Sequence, residues 1–360
     1  MWTNTKVTQL LGIDYPIMQG PFGGNFSTAA LTAAVSNAGG VGGYGAYTLS
    51  PQEIYDAVKQ INALTNKPYN VNLWVSDSDA PGVAITDEQY EATKALFKPY
   101  FDETGIPFPA KPAPFISRYE NQLQVIFDTK PKIFSFVFGI PSADVLERSR
   151  RLGILTAGAA TTLDEALALD AAGVDMIIAS GFEAGGHRPS FLAPAEQSTM
   201  GTFVLLQLIK EKVKVPVIAA GGIANGRGVA AALTLDADAV QVGTAFLATE
   251  ESGALPIHRE MLLSGAAKNT ILTRAFTGRL GRGIMTPIAK DVVGHEKSIL
   301  PFPLQTTFIS SLRKAAIEKQ RWDLVFFWSG QIGPLLHHTK AADLMRSLVE
   351  DTTKFLEHRA

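Results

Sequence analysis

The chain has 360 residues, of which 46% are hydrophobic, 32 are glycine and none is cysteine. Its 32 basic and 34 acidic residues give a formal net charge of -2, so no broad electrostatic field attracts nucleic acid or an anionic membrane. The lack of cysteine excludes disulfides, thiolate metal sites and a cysteine nucleophile. No segment approaches a membrane span or a signal peptide, so we expect a cytoplasmic protein with small-molecule partners.

Short apolar runs alternate with segments of helical spacing, which is typical of βα units on a parallel sheet. Strands are predicted at 16–20, 41–46, 69–75, 133–139, 153–159, 175–180, 215–222 and 239–244. Helices are predicted at 27–38, 51–64, 142–151, 162–172, 199–212 and 226–235, with Ser27, Ser50, Ser142 and Thr162 as N-caps. Eight strands in this order favour an α/β fold, the closed (β/α)8 TIM barrel, over an open doubly wound sheet.

Two segments interrupt the alternation of strands and helices. Residues 76–132 follow the third predicted strand and are interpreted as an insertion over the barrel mouth. Residues 251–360 are too long for one closing helix, and we expect a helical extension that packs on the barrel and completes the substrate pocket. The barrel itself is predicted to comprise residues 1–75 and 133–250.

The carboxyl ends of the predicted strands carry amides, hydroxyls and glycines. Barrel enzymes place their chemistry at this end. Glycine also allows a strand to turn into a loop, and an amide such as Asn72 can satisfy nearby backbone groups, so each end taken alone has a purely structural explanation. Their concurrence favours a ligand site. The residues are Gln19, Asn70, Asn72, Ser180, Gly181, Gly221, Gly222, Gly243 and Thr244.

The last two strand ends predict a phosphate site. The segment "AAGGIANGRG" (219–228) offers backbone amides at Gly221 and Gly222 and then the start of a helix. The segment "QVGT" (241–244) adds amides and the Thr244 hydroxyl. Amides that converge near a helix N-terminus bind phosphate, and this position in a barrel is a recurrent phosphate site.

The loop after the sixth predicted strand, "ASGFEAGGHRPS" (179–190), contains the best candidate for catalysis. Its glycines let the backbone approach a ligand, and His187 follows them at the barrel mouth. Histidine suits proton abstraction near neutral pH, although a histidine in a loop is often only solvated. Glu183 and Arg188 are expected to pair or to orient the loop. No metal-ligand spacing such as H-E-x-x-H occurs.

Seven segments together resemble the nitronate monooxygenase family: "PIMQGPFGG", "NVNLWV", "PKIFSFVFGIP", "ASGFEAGGHRPS", "AAGGIANGRG", "AVQVGTAFLATEES" and "FTGRLGRGIMTP". The resemblance implies a TIM-barrel flavoprotein that holds FMN non-covalently and oxidises alkyl nitronates, with nitroalkanes as further substrates, by O2 to a carbonyl compound and nitrite. It also implies that His187 is the active-site histidine. The implied FMN contacts are Gln19, Asn72, Ser180, Gly185, Gly222, Gln241, Val242, Gly243 and Thr244, with Gly221 and Gly181 adjacent.

The substrate pocket is less well defined by the sequence. Phe22 and Trp74 could form an apolar wall, and Arg188 could stabilise an anionic substrate. Ser329 lies in "FWSGQ" (327–331), which resembles a C-terminal element of the family. In the best-characterised branch of that family a tyrosine and a lysine cover the pocket, whereas the corresponding positions here are Thr306 and Ser310.

Two other functions stay open at this point. The same scaffold is used by FMN-dependent NAD(P)H:quinone reductases and enoyl-thioester reductases, which share the glycine motifs and the histidine. A flavin-binding protein without turnover is the third reading, and the Glu183-Ala-Gly-Gly-His187 segment disfavours it. A monomer and a homodimer are both compatible with the sequence.

Overall fold

The computed structural model describes residues 1–75 and 84–357. An eight-stranded sheet, in which all neighbouring strands are parallel, forms its centre. The barrel strands are β1 (Ile17–Gln19), β2 (Gly42–Gly45), β3 (Tyr69–Trp74), β4 (Ile133–Val137), β5 (Leu155–Ala160), β6 (Met176–Ser180), β8 (Val217–Ala220) and β9 (Ala239–Val242). A separate three-stranded sheet contains β7 (Gly186–His187), β10 (Thr270–Thr273) and β11 (Gly281–Ile284). The helices are α1 (Lys6–Leu11), α2 (Ala29–Asn37), α3 (Pro51–Leu64), α4 (Asp87–Thr104), α5 (Tyr119–Thr129), α6 (Ala143–Arg151), α7 (Leu163–Ala172), α8 (Thr202–Lys210), α9 (Gly226–Thr234), α10 (Thr244–Leu247), α11 (Pro256–Leu263), α12 (Pro287–Asp291), α13 (Leu304–Glu318) and α14 (Ala341–Glu357).

The sheet closes on itself between β1 and β2. The sheet order is β1-β9-β8-β6-β5-β4-β3-β2, which leaves β1 and β2 at the two edges. The Gln19 N–H donates to the Val41 carbonyl at 2.8 Å, and the Val41 N–H donates to the Ile17 carbonyl at 3.0 Å. The eight predicted strands and the closed (β/α)8 barrel are therefore confirmed.

The two ends of the barrel interior differ. At the amino end, Val7 and Leu11 of α1 pack against Met176 and other residues that begin strands. Toward the carboxyl end, the interior positions of β5 and β8 are filled by Ala159 and Ala220. Side chains this small leave space for a ligand at the mouth of the barrel.

Most predicted helices begin where their caps indicated. The Ser50 and Thr162 side chains each accept a backbone N–H in the first turn, and Ser142 occupies the N-cap position of α6 without such a bond. The predicted N-cap at Ser27 is wrong, because Thr28 caps α2 by accepting the Leu31 N–H at 3.0 Å.

Ser27 instead connects the loop after β1 to β2. Its hydroxyl accepts the Phe22 N–H at 2.9 Å and the Gly45 N–H at 3.3 Å, and it donates to the Gly43 carbonyl at 3.1 Å. A buried hydroxyl with three partners is engaged in tertiary structure, which explains why the neighbouring threonine takes the cap.

The segment between β3 and β4 contains two helices in different surroundings. Leu123 and Ile126 of α5 belong to the core between the barrel sheet and its outer helices. Phe97 and Phe101 of α4 belong to a second core, which they share with Phe308 of α13. The helix α5 thus takes the place of the helix that follows a barrel strand, whereas α4 joins the C-terminal part of the chain.

The C-terminal part of the chain also divides in two. The helix α14 packs on α9 and α2, and its Leu344, Met345 and Leu348 enter the barrel core, so it completes the outer ring of helices. The preceding segment forms the second core and the antiparallel sheet β10-β11-β7. None of the helices in the two described ranges is both long and apolar enough to cross a membrane.

Candidate active site

The interior of the barrel becomes polar at its mouth. The Asn72 and Asn70 side-chain amides each donate to the Ser135 hydroxyl at 2.9 Å. The Gln19 side-chain carbonyl accepts the Gly43 N–H at 2.8 Å, and its amide donates to the Gly20 carbonyl. Gln19 is fully buried, and its hydrogen bond to Gly43 links β1 to β2.

Gln241 is the exception among these amides. It pairs with Met18 and Ala220 in the sheet register, at the carboxyl end of β9. Its Oε1 atom is buried and has no hydrogen-bond partner within the described part of the chain. An unsatisfied buried acceptor is costly, by about 1–3 kcal/mol, so its presence at a barrel mouth fits a ligand that supplies a donor.

Glycines form a cradle between β8 and β9, which we define as Gly221, Gly222, Gly243 and Thr244. Gly221 and Gly222 have φ values of +105° and +70°, which glycine adopts readily. Among residues 1–75 and 84–357, the N–H groups of Gly222, Gly243 and Thr244 find no acceptor. Backbone amides without an acceptor can bind an anion where they converge. The Thr244 hydroxyl accepts the Gly330 N–H at 2.9 Å, so it also anchors the C-terminal segment.

Val242, which was predicted to contact the cofactor, is fully buried in the core outside the sheet. Its carbonyl accepts the Gly20 N–H at 2.9 Å. Its backbone therefore joins β9 to the end of β1, and its side chain points away from the mouth.

Glu183 fixes the loop after β6 to the start of α8. Its carboxylate accepts the Thr202 N–H at 2.9 Å and the Thr202 hydroxyl at 3.0 Å, where Gly201 provides no side-chain cap. A Cβ atom at Gly181 would lie 2.0 Å from the Thr202 Oγ1 atom, so this contact requires glycine. Glu183 thus orients the loop, as one of the two sequence interpretations predicted.

Arg188 lies beneath the same loop and is 2% exposed. Its guanidinium donates to the carbonyls of Gly181 at 2.6 Å and Ser198 at 2.9 Å, and more weakly to Ser180 at 3.2 Å. Burial and the neighbouring Arg282 lower the pKa of Arg188 to about 10, so it stays charged at neutral pH. These contacts orient the loop and direct the guanidinium to the backbone.

His187 is held at the mouth by a strand pair that no local pattern indicates. The two-residue strand β7 pairs antiparallel with β11, and His187 lies opposite Gly281. The His187 Nε2 atom lies 2.8 Å from the Thr277 Oγ1 atom. The C-terminal segment therefore sets the orientation of the imidazole.

Aromatic rings enclose His187. Trp328 lies 4.8 Å and Trp74 lies 5.2 Å from it, centroid to centroid. Burial, together with the Arg279 guanidinium, lowers the pKa of His187 to about 3. The imidazole is therefore neutral at physiological pH, and its burial makes it a weaker base than a solvated histidine.

Arg279 is one of the residues at this site that the sequence reasoning missed. Its guanidinium carbon lies over the rings of Phe138, Phe302 and Trp74 at 3.9, 4.8 and 5.8 Å from their centroids. The same rings surround His187. A charged residue in the glycine-rich segment "FTGRLGRGIMTP", quoted above only for its resemblance, was the available signal.

The remaining predicted pocket residues lie where the C-terminal segment meets the loop. A Cβ atom at Gly185 would lie 2.5 Å from the Gly330 nitrogen, so the two backbones touch there. Ser329 is 1% exposed, and its hydroxyl donates to the Gly330 carbonyl at 3.0 Å. Phe22 is half-buried, with its ring 3.9 Å from the position of a Gly243 Cβ atom.

Thr306 and Ser310, which replace the tyrosine and lysine of the family's best-characterised branch, are both exposed on α13. Phe302, just before that helix, is the residue of this segment that reaches His187, at 6.1 Å between ring centroids. The segment thus contributes an apolar ring to the site.

Comparison with known proteins places this barrel and site in context. The model of the nitronate monooxygenase family matches residues 4–351. A probable nitronate monooxygenase of Staphylococcus aureus (strain Newman) is 35% identical over 360 residues, which cover 100% of both chains. The structure of a nitroalkane oxidase from Streptomyces ansochromogenes is 32% identical, with a TM-score of 0.90 over 98% of this chain and 99% of that one. FabK from Thermotoga maritima is 26% identical, with a TM-score of 0.73 over 99% and 98%.

The chain folds as a (β/α)8 barrel, a class of protein whose enzymes carry their reacting groups at the carboxyl ends of the strands. The chain belongs to the nitronate monooxygenase family, as its motifs predicted. Enzymes of this family use a flavin, and such a cofactor fits the cradle amides and the Gln241 acceptor, which have no partner within residues 1–75 and 84–357.

Proposed function

We propose that the protein binds FMN and oxidises alkyl nitronates, and nitroalkanes after deprotonation, with O2 to a carbonyl compound and nitrite. The observation that carries this proposal is the ring-enclosed His187, oriented by Thr277, at the same barrel mouth as the cradle, whose amides find no acceptor among the described residues. A base and an anion site at one mouth are what a flavin phosphate and a carbon acid together require.

The cradle suits the single phosphate group of FMN. Gly222, Gly243 and Thr244 offer amides for one terminal phosphate, with Gly221 and Gly181 giving the backbone room. We propose that Gln241 accepts from a ring N–H and that Gln19, Asn72, Ser180 and Gly185 line the rest of the cofactor site. When bound, the flavin supplies the transfer of electrons from the substrate carbon to O2.

His187 has a defined task in this reaction. With a neutral nitroalkane, the C–H bond breaks, the proton passes to the imidazole, and the electron pair moves toward the nitro group to give the nitronate. In the oxidation the C–N bond breaks, nitrite leaves, and oxygen from O2 enters the carbonyl; half a molecule of O2 per nitronate balances the atoms. A nitronate supplied as the anion does not need the first step.

An anaerobic spectrum of the purified protein tests the proposal. The released flavin should be FMN by mass, and propionate 3-nitronate should bleach the flavin absorbance within the turnover time, with nitrite formed after air is admitted. Bleaching by NADH or NADPH and none by the nitronate would instead support a quinone or enoyl-thioester reductase. A protein that binds flavin but reacts with neither would be a binding protein, and a protein that binds no flavin would refute the cofactor assignment.

A further inference from the structure

The hydroxyl of Thr277 is the hydrogen-bond partner of the His187 imidazole within the described part of the chain. The Thr277 Oγ1 atom lies 2.8 Å from the His187 Nε2 atom. The backbone N–H of Arg279 donates to the same oxygen at 3.2 Å, and the backbone carbonyl of Arg279 accepts from it at 3.2 Å. A threonine hydroxyl has one proton to donate and two lone pairs. The three neighbours therefore use its full capacity.

These three contacts determine which nitrogen of the imidazole carries the proton. A carbonyl can only accept, so the hydroxyl proton is directed to the Arg279 carbonyl, and the Arg279 N–H takes one lone pair. The second lone pair then faces His187 Nε2, which must donate to it. A neutral imidazole has one N–H, so its Nδ1 atom is the acceptor. Nδ1 has no hydrogen-bond partner within residues 1–75 and 84–357 and is left for a ligand.

The turn that carries Thr277 is held by contacts of its own. The Arg274 carbonyl accepts the Gly278 N–H at 2.8 Å, and the Arg274 guanidinium donates to the Gly278 carbonyl at 3.0 Å. Arg274 also forms an ion pair with Glu196 at 2.7 Å. A Cβ atom at Gly278 would lie 2.4 Å from the Leu300 carbonyl oxygen, so the turn packs closely against the segment before α13. The turn is thus a fixed support on which the imidazole is oriented.

The rings around His187 make the hydroxyl important for proton transfer. Trp328 and Trp74 lie 4.8 and 5.2 Å from the imidazole, centroid to centroid, and ring faces accept hydrogen bonds only weakly. When the imidazole gains a proton, its Nε2–H bond to Thr277 becomes charge-assisted, and such bonds are roughly twice as strong as neutral ones. The hydroxyl therefore stabilises the protonated ring more than the neutral ring. This offsets part of the loss of basicity that burial causes.

We propose that Thr277 is a positioning residue that holds His187 with its proton on Nε2, so that Nδ1 removes the substrate proton. This inference rests on the proposed function. As the C–H bond of a nitroalkane breaks, the proton passes to Nδ1 and the electron pair moves toward the nitro group, while Nε2 keeps its proton and donates to Thr277. A preformed nitronate does not need this step. Thr277 therefore contributes to the use of neutral nitroalkanes and not to that of nitronates.

The first test observes the imidazole directly, by ¹H–¹⁵N NMR of the purified protein labelled with ¹⁵N-histidine. The signals of His187 are those that disappear in His187→Asn. At neutral pH the wild type should show a neutral ring with its proton on Nε2. A proton on Nδ1, or a doubly protonated ring, would overturn the proposal. This measurement is made on the wild type, so it does not depend on the folding of any Thr277 variant.

The second test compares threonine variants in the two reactions. Thr277→Val removes the hydroxyl, whereas Thr277→Ser keeps it. The matched control is Thr273→Val, because the Thr273 hydroxyl accepts the Ala275 N–H at 3.1 Å in the same kind of local turn without contacting His187. Thr277→Val should lower kcat for neutral nitroethane about tenfold and change kcat/KM for preformed ethylnitronate less than about twofold. Thr277→Ser and the control should stay within about threefold of the wild type on both substrates.

The outcomes separate this role from a structural one and from the proposed function. Equal losses on both substrates in Thr277→Val, no loss on nitroethane, or a loss in Thr277→Ser as large as in Thr277→Val would overturn the proposal. Wild-type protein with the proton on Nε2 that oxidises no nitronate would refute the proposed reaction and keep the orientation of His187 by Thr277. Wild-type protein that oxidises nitronates with the proton on Nδ1 would keep the reaction and refute the role of Thr277.

Discussion

Replacement of Gly221 by alanine tests the cradle most directly. Gly221 has a φ of +105°, and an added Cβ atom would lie 2.9 Å from the Thr202 Oγ1 atom and 3.1 Å from the Ala184 nitrogen. The Thr202 hydroxyl has little freedom to move, because it contacts the Glu183 carboxylate and the Gly221 carbonyl. The substitution therefore adds both backbone strain and a clash next to the Gly222 N–H group.

The expected magnitude follows from these two effects. A side chain in the left-handed region costs about 1–2 kcal/mol, and overpacking raises the total loss of unfolding free energy to about 3 kcal/mol. Gly173→Ala is the matched control, because Gly173 has a φ of +80° but its nearest neighbour would be an Arg150 side-chain nitrogen at 3.5 Å. The control should lose only about 1–2 kcal/mol.

Urea unfolding and FMN titration measure the two effects separately. Gly221→Ala should bind FMN at least about tenfold more weakly, the loss of one charge-assisted hydrogen bond to phosphate, whereas Gly173→Ala should keep its affinity. If the two variants were equally stable and both retained full flavin content, the placement of the phosphate at this cradle would be refuted.

Three further outcomes are expected. His187→Asn should lower kcat/KM for neutral nitroalkanes about 100-fold or more and affect preformed nitronates much less, because only the former need a proton removed; equal losses for both would contradict the role as base. Gln241→Met should raise the stability of the flavin-free protein by about 1 kcal/mol and weaken FMN binding, since it removes a buried acceptor without a partner; calorimetry that shows destabilisation of the flavin-free protein would argue against this. The free energy of unfolding should fall as the pH is lowered from about 6.5, because the unfolded chain then binds protons that folded His187 and His258, with pKa values lowered by burial to about 3 and about 4, do not bind. Urea midpoints compared between neutral and mildly acidic pH should therefore change less in His187→Asn than in the wild type, and an identical change would show that His187 is not the group responsible.

The barrel could be predicted because each strand and helix is indicated by residues close together in the chain. Apolar runs and caps such as Ser50 place the elements, and parallel strands bring their carboxyl ends to one edge whatever the loops do. The glycines of the cradle follow from the same rule. The cap at Ser27 was mispredicted because its hydroxyl has partners in the loop after β1 and on β2, which no neighbouring residue reveals.

The surroundings of the catalytic candidate could not be predicted in this way. A two-residue strand has no periodicity, so the pairing of His187 with Gly281, and with it the contact to Thr277, is invisible to local patterns. The surroundings of two arginines were likewise decided by the tertiary structure. Arg188 is adjacent to His187 in sequence but lies beneath the loop, whereas Arg279 is distant in sequence and lies beside the imidazole.

The sequence alone determined the barrel, the family and the end of the barrel where chemistry occurs, because these depend on residue type and local spacing. Only the tertiary structure decided which charges and rings surround His187, because those contacts join segments about a hundred residues apart. The energies of these contacts depend on burial, which arises when the second core forms over the barrel mouth.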